Sequence, residues 1–310
     1  MNPAPGPKLH LVTGKGGVGK SSFTAALALQ AAERGKRVLA IELGEPSGLA
    51  GLLGVRPERH GVPEPVQSGL SLAYFDGEAA LAEYLLRRLP FFRQKMRAVF
   101  EHPLYRAFVG AGPGVAELMV IGKVRDELLG LSTGKPQWDV LVVDAGASGH
   151  ALQMLGMPAA TASTFAAGLA HREARRVAAT LADPQCTAVH VVALPERMPL
   201  GEAAETLERL RALGLPLGRL VVNQCRPSAP PGAEALVARL TAEQGDPDRQ
   251  CLARVAGRTL AWVRAQEEGI GMLERRVGLR AERLPRLVAS TFGLPEVQVL
   301  TAQLSPEPNP

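Results

Sequence analysis

Nine residues near the start of the chain, GKGGVGKSS, combine glycines, lysines and hydroxyls at a spacing that could bind phosphate. They fit the pattern G-x-x-x-x-G-K-[ST], in which flexible glycines let backbone N–H groups point at phosphate oxygens. In this pattern Lys20 reaches the β- and γ-phosphates of a nucleotide, and the hydroxyl of Ser21 binds Mg²⁺. The predicted nucleotide-binding residues of this loop are Gly14, Lys15, Gly16, Gly17, Val18, Gly19, Lys20, Ser21 and Ser22.

The sequence on either side of the loop has the character that this pattern requires. LHLVT (Leu9–Thr13) is typical of a short buried strand, and SSFTAALALQAAERG has apolar residues at helical spacing up to a stop at Gly35. A helix that starts directly after the loop adds positive potential where phosphate would lie. The order strand, loop, helix therefore argues against the alternative, a glycine-rich turn that binds nothing.

A carboxylate that could take part in the same chemistry ends another apolar run, WDVLVVDA (Trp138–Ala145). Such a nearly continuous apolar run is typical of a strand that is buried on both faces. Its Asp144 would place a carboxylate opposite the loop, where it could hold Mg²⁺, usually through water. A capping or turn aspartate is the alternative interpretation.

The whole chain alternates apolar runs with helical segments, which predicts an α/β fold with a doubly wound, mostly parallel sheet. Ligands of such sheets bind beyond the carboxyl ends of the strands, so the polar motifs are expected at one edge. The other predicted strands are Arg37–Leu43, Leu70–Phe75, Cys186–Pro195 and Gly218–Gln224. The other predicted helices are His150–Leu155, His171–Leu181, Leu200–Leu213 and a charged helical stretch from Leu252 to Arg286.

The composition of the chain argues against several classes of protein. The chain has 310 residues, 46% hydrophobic residues and a net charge of +5, which suits one large α/β domain or two small ones. Its basic residues are scattered, so we expect no specific nucleic-acid binding. Its three cysteines form no CxxC pair, which argues against a zinc site or disulfide framework. We see neither a signal peptide nor a membrane-spanning run, and therefore expect a cytoplasmic protein.

Three motifs together resemble a known family. Lys15, directly after the first glycine, makes the loop similar to the deviant form GKGGVGK[ST], which is found in MinD, ParA, the nitrogenase iron protein, ArsA and Get3. VVDAGASGHALQMLGMP (Val142–Pro158) resembles the second switch of ArsA and Get3. The segment Val191–Pro227 follows their order of strand, Pro-Glu, amphipathic helix and strand ending in V-V-N. The positions of the second switch that match are Asp144, Gly149, His150 and Leu152. From about Leu9 to Pro227 the chain thus resembles the bacterial ArsA/Get3-like ATPases, also called anion-transporting ATPases.

The resemblance implies a P-loop ATPase that uses ATP and Mg²⁺ and works as a homodimer, or as a heterodimer with a paralogous ATPase. It implies that Lys15 reaches the partner's nucleotide, that Asn223 binds adenine, and that Glu202 lies near nucleotide at the dimer interface. The alternative interpretations give these residues structural roles only: an exposed loop lysine for Lys15, a turn residue for Asn223 and a helix-start glutamate for Glu202. His150 could equally be a packing or helix-start histidine.

The resemblance also implies a domain organisation. Residues 1–310 would form a single P-loop ATPase domain, with a helical subdomain inserted at 76–130 and a C-terminal helical, adenine-side segment at 252–310. Eight of the eleven phenylalanines and tyrosines fall between Tyr74 and Phe108. They would form the core of the helical layer or, alternatively, an exposed apolar surface for a protein client.

The chain departs from the family at the first switch. The family motif STDPAHSL contains the aspartate that positions the attacking water, and an ungapped match with ELGEPSGL puts Gly44 there. Glu42 or Glu45 could take over, because a carboxylate oriented by Mg²⁺ and water is what the reaction needs. We therefore expect slow turnover, with a nucleotide-binding subunit that barely hydrolyses as the rival interpretation.

Two other functions remain to be weighed against an ATPase that acts on a protein client or partner. Arsenite transport is disfavoured because no cysteine matches the positions by which ArsA binds arsenite. The other alternative is a ParA- or MinD-like positioning ATPase, which binds nucleoid or membrane. A MinD-like protein is disfavoured because the C-terminus carries no basic amphipathic helix. A ParA-like protein is disfavoured because the adenine and second-switch segments resemble ArsA and Get3.

Overall fold

The computed structural model describes residues 8–88, 114–242 and 246–306. Within them, eight strands form one sheet in the order β3-β4-β2-β5-β1-β6-β7-β8, parallel except for the antiparallel edge strand β3. The strands are β1 (Leu9–Gly14), β2 (Val38–Leu43), β3 (Glu64–Gln67), β4 (Leu70–Phe75), β5 (Val140–Ala147), β6 (Thr187–Ala193), β7 (Leu217–Cys225) and β8 (Ala281–Pro285). The predicted α/β class with a mostly parallel sheet is thus confirmed.

Helices cover both faces of this sheet, and their apolar sides form two cores. One core lies under α1, α2 and α10, and the other lies under α4, α5, α6, α7 and α9. This arrangement explains why central strands such as β1 are apolar on both faces and buried along their whole length. The helices are α1 (Lys20–Glu33), α2 (Gly48–Leu53), α3 (Gly77–Arg88), α4 (Val115–Leu129), α5 (Ser148–Thr164), α6 (Leu169–Ala182), α7 (Arg197–Ala212), α8 (Ala233–Ala242), α9 (Pro247–Val277) and α10 (Leu294–Gln303).

The centre of the sheet aligns the strand ends that carry the polar motifs. β1 lies between β5 and β6, with Leu9 opposite Leu141 on one side and Thr187 on the other. On the far side of β5, Glu42 of β2 is the register partner of Asp144. The parallel register therefore brings the loop after β1 and the ends of β2, β5, β6 and β7 to one edge.

The prediction of a helical stretch up to Arg286 is wrong in its last part. The helix α9 ends at Val277, because Gly278 takes up a left-handed conformation with φ of 67° and caps the last turn. The chain then forms β8, which pairs with β7 at the edge of the sheet. The strand β3 and the helix α2 were also not predicted, since both are short and lie in a region rich in glycine and proline.

The segment between the switches is only partly described. The helices α3 and α4 pack together, and Lys123 of α4 contacts Glu83 of α3 at 3.0 Å while lying over the ring of Phe75. Phe75 is completely buried, whereas Tyr74 and Tyr84 are half-buried, so these three aromatic residues serve the core and its rim. The other five aromatic residues of the predicted cluster, and most of the linking segment, lie outside the described residues. The subdomain boundaries remain a prediction.

The placement of the C-terminal segment 252–310 on the adenine side also remains a prediction.

None of the helices in the described ranges combines the length and the apolar composition needed to cross a bilayer.

A pair of buried histidines lies beneath α1. Nδ1 of His10 on β1 and Nε2 of His190 on β6 are 3.0 Å apart, and the two rings stack. The other ring nitrogen of His190 accepts a hydrogen bond from the backbone N–H of Arg219 at 2.9 Å. Burial, the neighbouring His10 and the charge of Arg219 hold the pKa of His190 well below its ordinary value. His190 is therefore neutral in the folded protein.

This pair predicts a loss of stability in mild acid. A histidine whose pKa is depressed by folding binds a proton more readily in the unfolded state, so stability falls as the pH drops below about 6.5, by up to about 1.4 kcal/mol per pH unit. His190→Gln removes this titration, and its free energy of unfolding should depend less steeply on pH between 6.5 and 5. Urea unfolding at several pH values measures the slope. His150→Gln, at an exposed position, should keep the wild-type slope; equal slopes for all three proteins would contradict the prediction.

Candidate functional site

The loop after β1 is held tightly at both ends and is open in the middle. A side chain added at Gly14 would lie 2.2 Å from the backbone oxygen of Val192, and one at Gly19 would lie 2.1 Å from Nδ2 of Asn223. At Gly16 and Gly17, by contrast, an added Cβ would meet no atom within 4 Å. The outer glycines thus let the loop rest on the ends of β6 and β7, while the middle ones leave room for a ligand.

Lys20 begins α1 and points its amino group back across the loop. Its Nζ donates a hydrogen bond to the backbone oxygen of Lys15 at 2.9 Å. Partial burial lowers the pKa of Lys20, and the nearby charge of Asp144 partly opposes this effect. Among the described residues Lys20 has no carboxylate within ion-pair distance, so its charge is available to an anion.

Ser21 and Asp144 bring two oxygen ligands together from different elements. The hydroxyl of Ser21 donates a hydrogen bond to Oδ2 of Asp144 at 2.5 Å, and the backbone N–H of Gly146 donates to Oδ1 at 3.4 Å. Asp144 is buried, and this burial raises the pKa of its carboxyl, against the opposing effects of the Ser21 hydrogen bond and Lys20. Hard oxygen ligands beside an anion site fit Mg²⁺, which prefers carboxylate, hydroxyl, water and phosphate oxygens. A bound cation would also stabilise the ionised form of Asp144.

Glu42 is buried and fully engaged by the segment that follows it. Its Oε1 accepts hydrogen bonds from the Ser47 hydroxyl and the Leu49 N–H, and its Oε2 accepts from the N–H groups of Ser47 and Ala50, all at 2.9–3.1 Å. These bonds fix the start of α2 against the end of β2. The side chain therefore acts as a helix cap in this conformation, and its carboxylate has no free oxygen directed at the loop.

The other first-switch positions have different surroundings. Glu45 is exposed on the loop between β2 and α2. Gly44, which lies between Glu42 and Glu45 in the sequence, has a left-handed φ of 85°, a conformation that most side chains avoid. Gly48 lies close to Ser21, since a Cβ on Gly48 would come within 3.1 Å of the Ser21 hydroxyl. The first-switch segment therefore borders the candidate metal ligands.

Lys15 forms an ion pair within its own chain. Its Nζ lies 2.5 Å from Oε1 of Glu202 in the second turn of α7, and the two side chains are 40% and 38% exposed. The structure thus brings these two predicted residues together, in cis. The half-exposed pair can open without uncovering a buried charge.

Asn223, at the end of β7, is buried behind the loop. Its Nδ2 donates a hydrogen bond to the backbone oxygen of Val18 at 2.9 Å, which ties the loop to the sheet. Ser22 is half-buried in the first turn of α1. His150 is exposed on the first turn of α5, and its ring is near Gly146.

Sequence reasoning missed two residues that shape the site. Ser47 supplies two of the four donors to Glu42. Thr13 donates a hydrogen bond from its hydroxyl to the backbone oxygen of Gly146 at 3.2 Å, which links the strand before the loop to the second-switch segment. A serine five residues after a strand-terminal glutamate is a faint signal for the first contact, and none exists for the second.

Comparisons with known proteins agree with this geometry. A family model described as anion-transporting ATPase matches residues 7–171 and 168–245. The ATPase BagA of Mycobacterium tuberculosis is 33% identical over 230 residues, which cover 72% of this chain and 66% of that protein. An arsenical pump-driving ATPase of Acidiphilium multivorum is 26% identical over 94% of this chain and 52% of that protein. One from Escherichia coli is 28% identical over 76% and 42%. The matched part of the chain thus spans two thirds or less of these relatives.

The close approach of Gly19 to Asn223 predicts that a side chain at position 19 lowers the stability of the protein. Gly19→Ala adds a Cβ that meets the Asn223 amide at a residue whose φ is 92°, so it should destabilise the protein by about 2–4 kcal/mol through overpacking and backbone strain. Gly16→Ala, whose Cβ enters open space, is the matched control and should cost well under half as much. Denaturant unfolding measures both. If Asn223→Ala does not reduce the cost of Gly19→Ala, the contact with Asn223 is not its cause.

The hydrogen bonds from the start of α2 to Glu42 predict that a substitution of Glu42 loosens this helix. Glu42→Gln replaces one acceptor oxygen with an NH₂ group that faces backbone donors, which should cost about 1–3 kcal/mol. The amides of Leu49 and Ala50 should then exchange with solvent faster, as measured by hydrogen–deuterium exchange in the protein without nucleotide. Glu45→Gln, at an exposed position, is the control and should leave exchange in α2 unchanged. Unaltered protection in Glu42→Gln would argue against the cap.

Proposed function

Because the chain belongs to the anion-transporting ATPase family, we propose that it binds ATP together with Mg²⁺ and hydrolyses the bond between its β- and γ-phosphates. The observation that carries this proposal is the contact between Ser21 and Asp144 directly beside the unpaired amino group of Lys20. A phosphate chain and its cation need oxygen ligands and a positive charge within a few ångströms of each other, and this edge of the sheet supplies both.

The loop would hold the phosphates through its backbone. A Cβ added at Gly16 or Gly17 would meet no atom within 4 Å, so the middle of the loop is open, and the start of α1 adds the positive end of a helix dipole. The Lys20 amino group would exchange its bond to the Lys15 carbonyl for phosphate oxygens. One of the two N–H groups of the Asn223 amide already bonds to the loop, and we propose that its carbonyl oxygen meets adenine by accepting from the exocyclic amino group.

The reaction needs charge neutralisation and an oriented water. Mg²⁺, held by Ser21 and Asp144 with waters, would neutralise charge on the transferred phosphoryl group. Lys20 would add a second positive charge near that group. Of the two first-switch glutamates, Glu45 is the better candidate to orient the attacking water, because both oxygens of Glu42 are engaged by α2. We assign Glu42 the task of positioning the first-switch segment.

We propose that Lys15 acts across a dimer. In the single chain it pairs with Glu202, but both side chains are more than a third exposed. A partner's phosphates carry more negative charge than one carboxylate, so they would draw Lys15 away from Glu202 when two copies meet at this edge. A cation delivered in this way would stabilise the transition state as an arginine finger does. The partner is a second copy of this chain or a paralogous ATPase.

We propose that such an ATPase acts on a protein client or partner and not on an anion. Several relatives are named arsenical pump-driving ATPases. In this chain Cys186 precedes the amino end of β6 and Cys225 lies at the carboxyl end of the neighbouring parallel strand β7, while Cys251 lies on α9. The three thiols therefore do not share a site, and we do not extend arsenite binding to this chain. The family match likewise favours this proposal over a positioning ATPase.

A second candidate function rests on the first switch. With Gly44 at the aspartate position and Glu42 engaged as a cap, hydrolysis depends on the exposed Glu45 alone. A nucleotide-binding subunit that needs a catalytic partner chain would fit this arrangement.

One experiment separates these proposals. We would measure ATP binding, ATP turnover and molecular mass for the wild type, Lys20→Ala and Lys15→Ala, with and without Mg²⁺. Lys20→Ala should weaken ATP binding by at least about tenfold, because a charged phosphate contact is worth roughly 1.5–3 kcal/mol. Lys15→Ala should still bind ATP but lose most turnover and the ATP-dependent increase in mass.

The control is Lys36→Ala, which removes an exposed lysine in the connection between α1 and β2 and should leave all three quantities unchanged. Wild-type binding without turnover would identify the nucleotide-binding subunit. Full ATP affinity in Lys20→Ala would refute the proposed phosphate site.

A further inference from the structure

A large groove lies next to the candidate ATP site and shares none of the loop residues. It has a volume of about 1150 Å³ and runs between the ends of β6 and β7, the first turns of α7, and α9. Its borders come within one residue of the site on both sides, at Gln224 after Asn223 and at Gly201 before Glu202. Nothing in the proposed ATPase reaction uses this groove.

The length of the groove indicates the size of its occupant. Its wall on α9 extends from Trp262 to Arg276, which at 1.5 Å per residue is about 21 Å, or four helical turns. Pockets for small ligands usually have volumes of about 300–1,000 Å³ and enclose most of the ligand. This groove is slightly larger than that range and extends along four turns of α9, which suits a segment of polypeptide.

The groove has a small excess of positive charge. Four arginines border it against two glutamates, Glu196 and Glu268. The side chains of Arg197 and Arg286 have no ion-pair partner among the described residues, whereas Arg276 is paired with Glu208 at 2.9 Å. The fourth, Arg226, lies over the ring of Trp262, with 4.6 Å between its guanidinium carbon and the ring centre.

The same groove exposes large apolar side chains beside the arginines. Trp262 and Met272 are each 57% exposed, and Leu194, Pro195 and Leu200 line the groove. Tryptophan, methionine and arginine are the residue types enriched in the centres of protein interfaces. Gln266, buried at the base, bonds to both the backbone N–H and the backbone oxygen of Arg226, so the loop after β7 is held rigidly against α9.

We propose that this groove binds an acidic amphipathic helix of a partner protein. Leucine-type side chains of the helix would pack on Trp262 and Met272, and its carboxylates would pair with Arg197 and Arg286. Charge complementarity favours an acidic occupant, because Arg197 and Arg286 have no ion-pair partner among the described residues. The proposal does not depend on ATP hydrolysis.

The test uses the full chain and a synthetic probe. The probe is a fluorescein-labelled helical peptide of about 18 residues, with leucine at i, i+3, i+4 and i+7 and glutamate elsewhere. Fluorescence anisotropy should show saturable binding that weakens with salt. Arg197→Glu combined with Arg286→Glu should raise the Kd by about tenfold or more, because two attractions become repulsions.

The matched control is Arg254→Glu combined with Arg258→Glu, two exposed arginines of α9 outside the groove, which give the same charge change. It should change the Kd by less than about threefold, since exposed distant charges are screened. Trp262→Phe is a second test variant. It should abolish the change in tryptophan emission that the peptide causes in the wild type, whose only other tryptophan is Trp138.

Several outcomes would overturn the proposal. These are the absence of peptide binding at low salt, equal binding of a peptide with lysine in place of glutamate, and an equal loss of affinity in the control variant. Displacement of the peptide by ATP would assign the groove to the nucleotide. A change in molecular mass of the Arg197/Arg286 variant without a change in peptide affinity would make the groove an interface between copies of this chain.

Discussion

The site depends on how closely its loop approaches the sheet. The loop can rest on the ends of β6 and β7 only because Gly14 and Gly19 have no side chain to meet Val192 and Asn223. The hydrogen bond from Asn223 to the Val18 carbonyl then fixes the loop's height above the strands. Everything else at this edge is placed relative to that contact. The start of α1 follows from it, and with it the direction of Lys20 and the distance from Ser21 to Asp144.

The electrostatics of this edge follow from the same geometry. Asp144 and Glu42 are neighbours across β2 and β5, and both are buried, which is costly for two carboxylates unless each is satisfied. Glu42 is satisfied by four donors from the start of α2. Asp144 receives only Ser21 and the distant N–H of Gly146, and burial raises the pKa of its carboxyl. Glu42 therefore has a structural role, and we propose that Asp144 binds the cation.

Much of this arrangement could be predicted from the sequence, because it rests on local patterns. Strand, loop and helix around Lys20 follow from period and glycine spacing, and the apolar run before Asp144 is typical of a central strand. The strand β8 could not be found in this way, because its five residues follow a long helix without a strong apolar alternation. The role of Glu42 as a cap of α2 could not be predicted either, since it depends on where the backbone turns at Ser47. Long-range contacts such as Thr13 with Gly146 leave no pattern in a single sequence.

The ion pair between Lys15 and Glu202 shows why a static contact does not fix a function. An ion pair between half-exposed side chains contributes about 0–1 kcal/mol, because water solvates both charges well when they separate. The Lys20 contact is different, since it uses the backbone of Lys15 and does not depend on where the Lys15 side chain points. The hydrogen bond from Asn223 to Val18 does not involve that side chain either, so the loop can keep its shape while Lys15 changes partner. A cation held this weakly would move to any stronger anion brought to this edge, and a triphosphate on a facing subunit is such an anion.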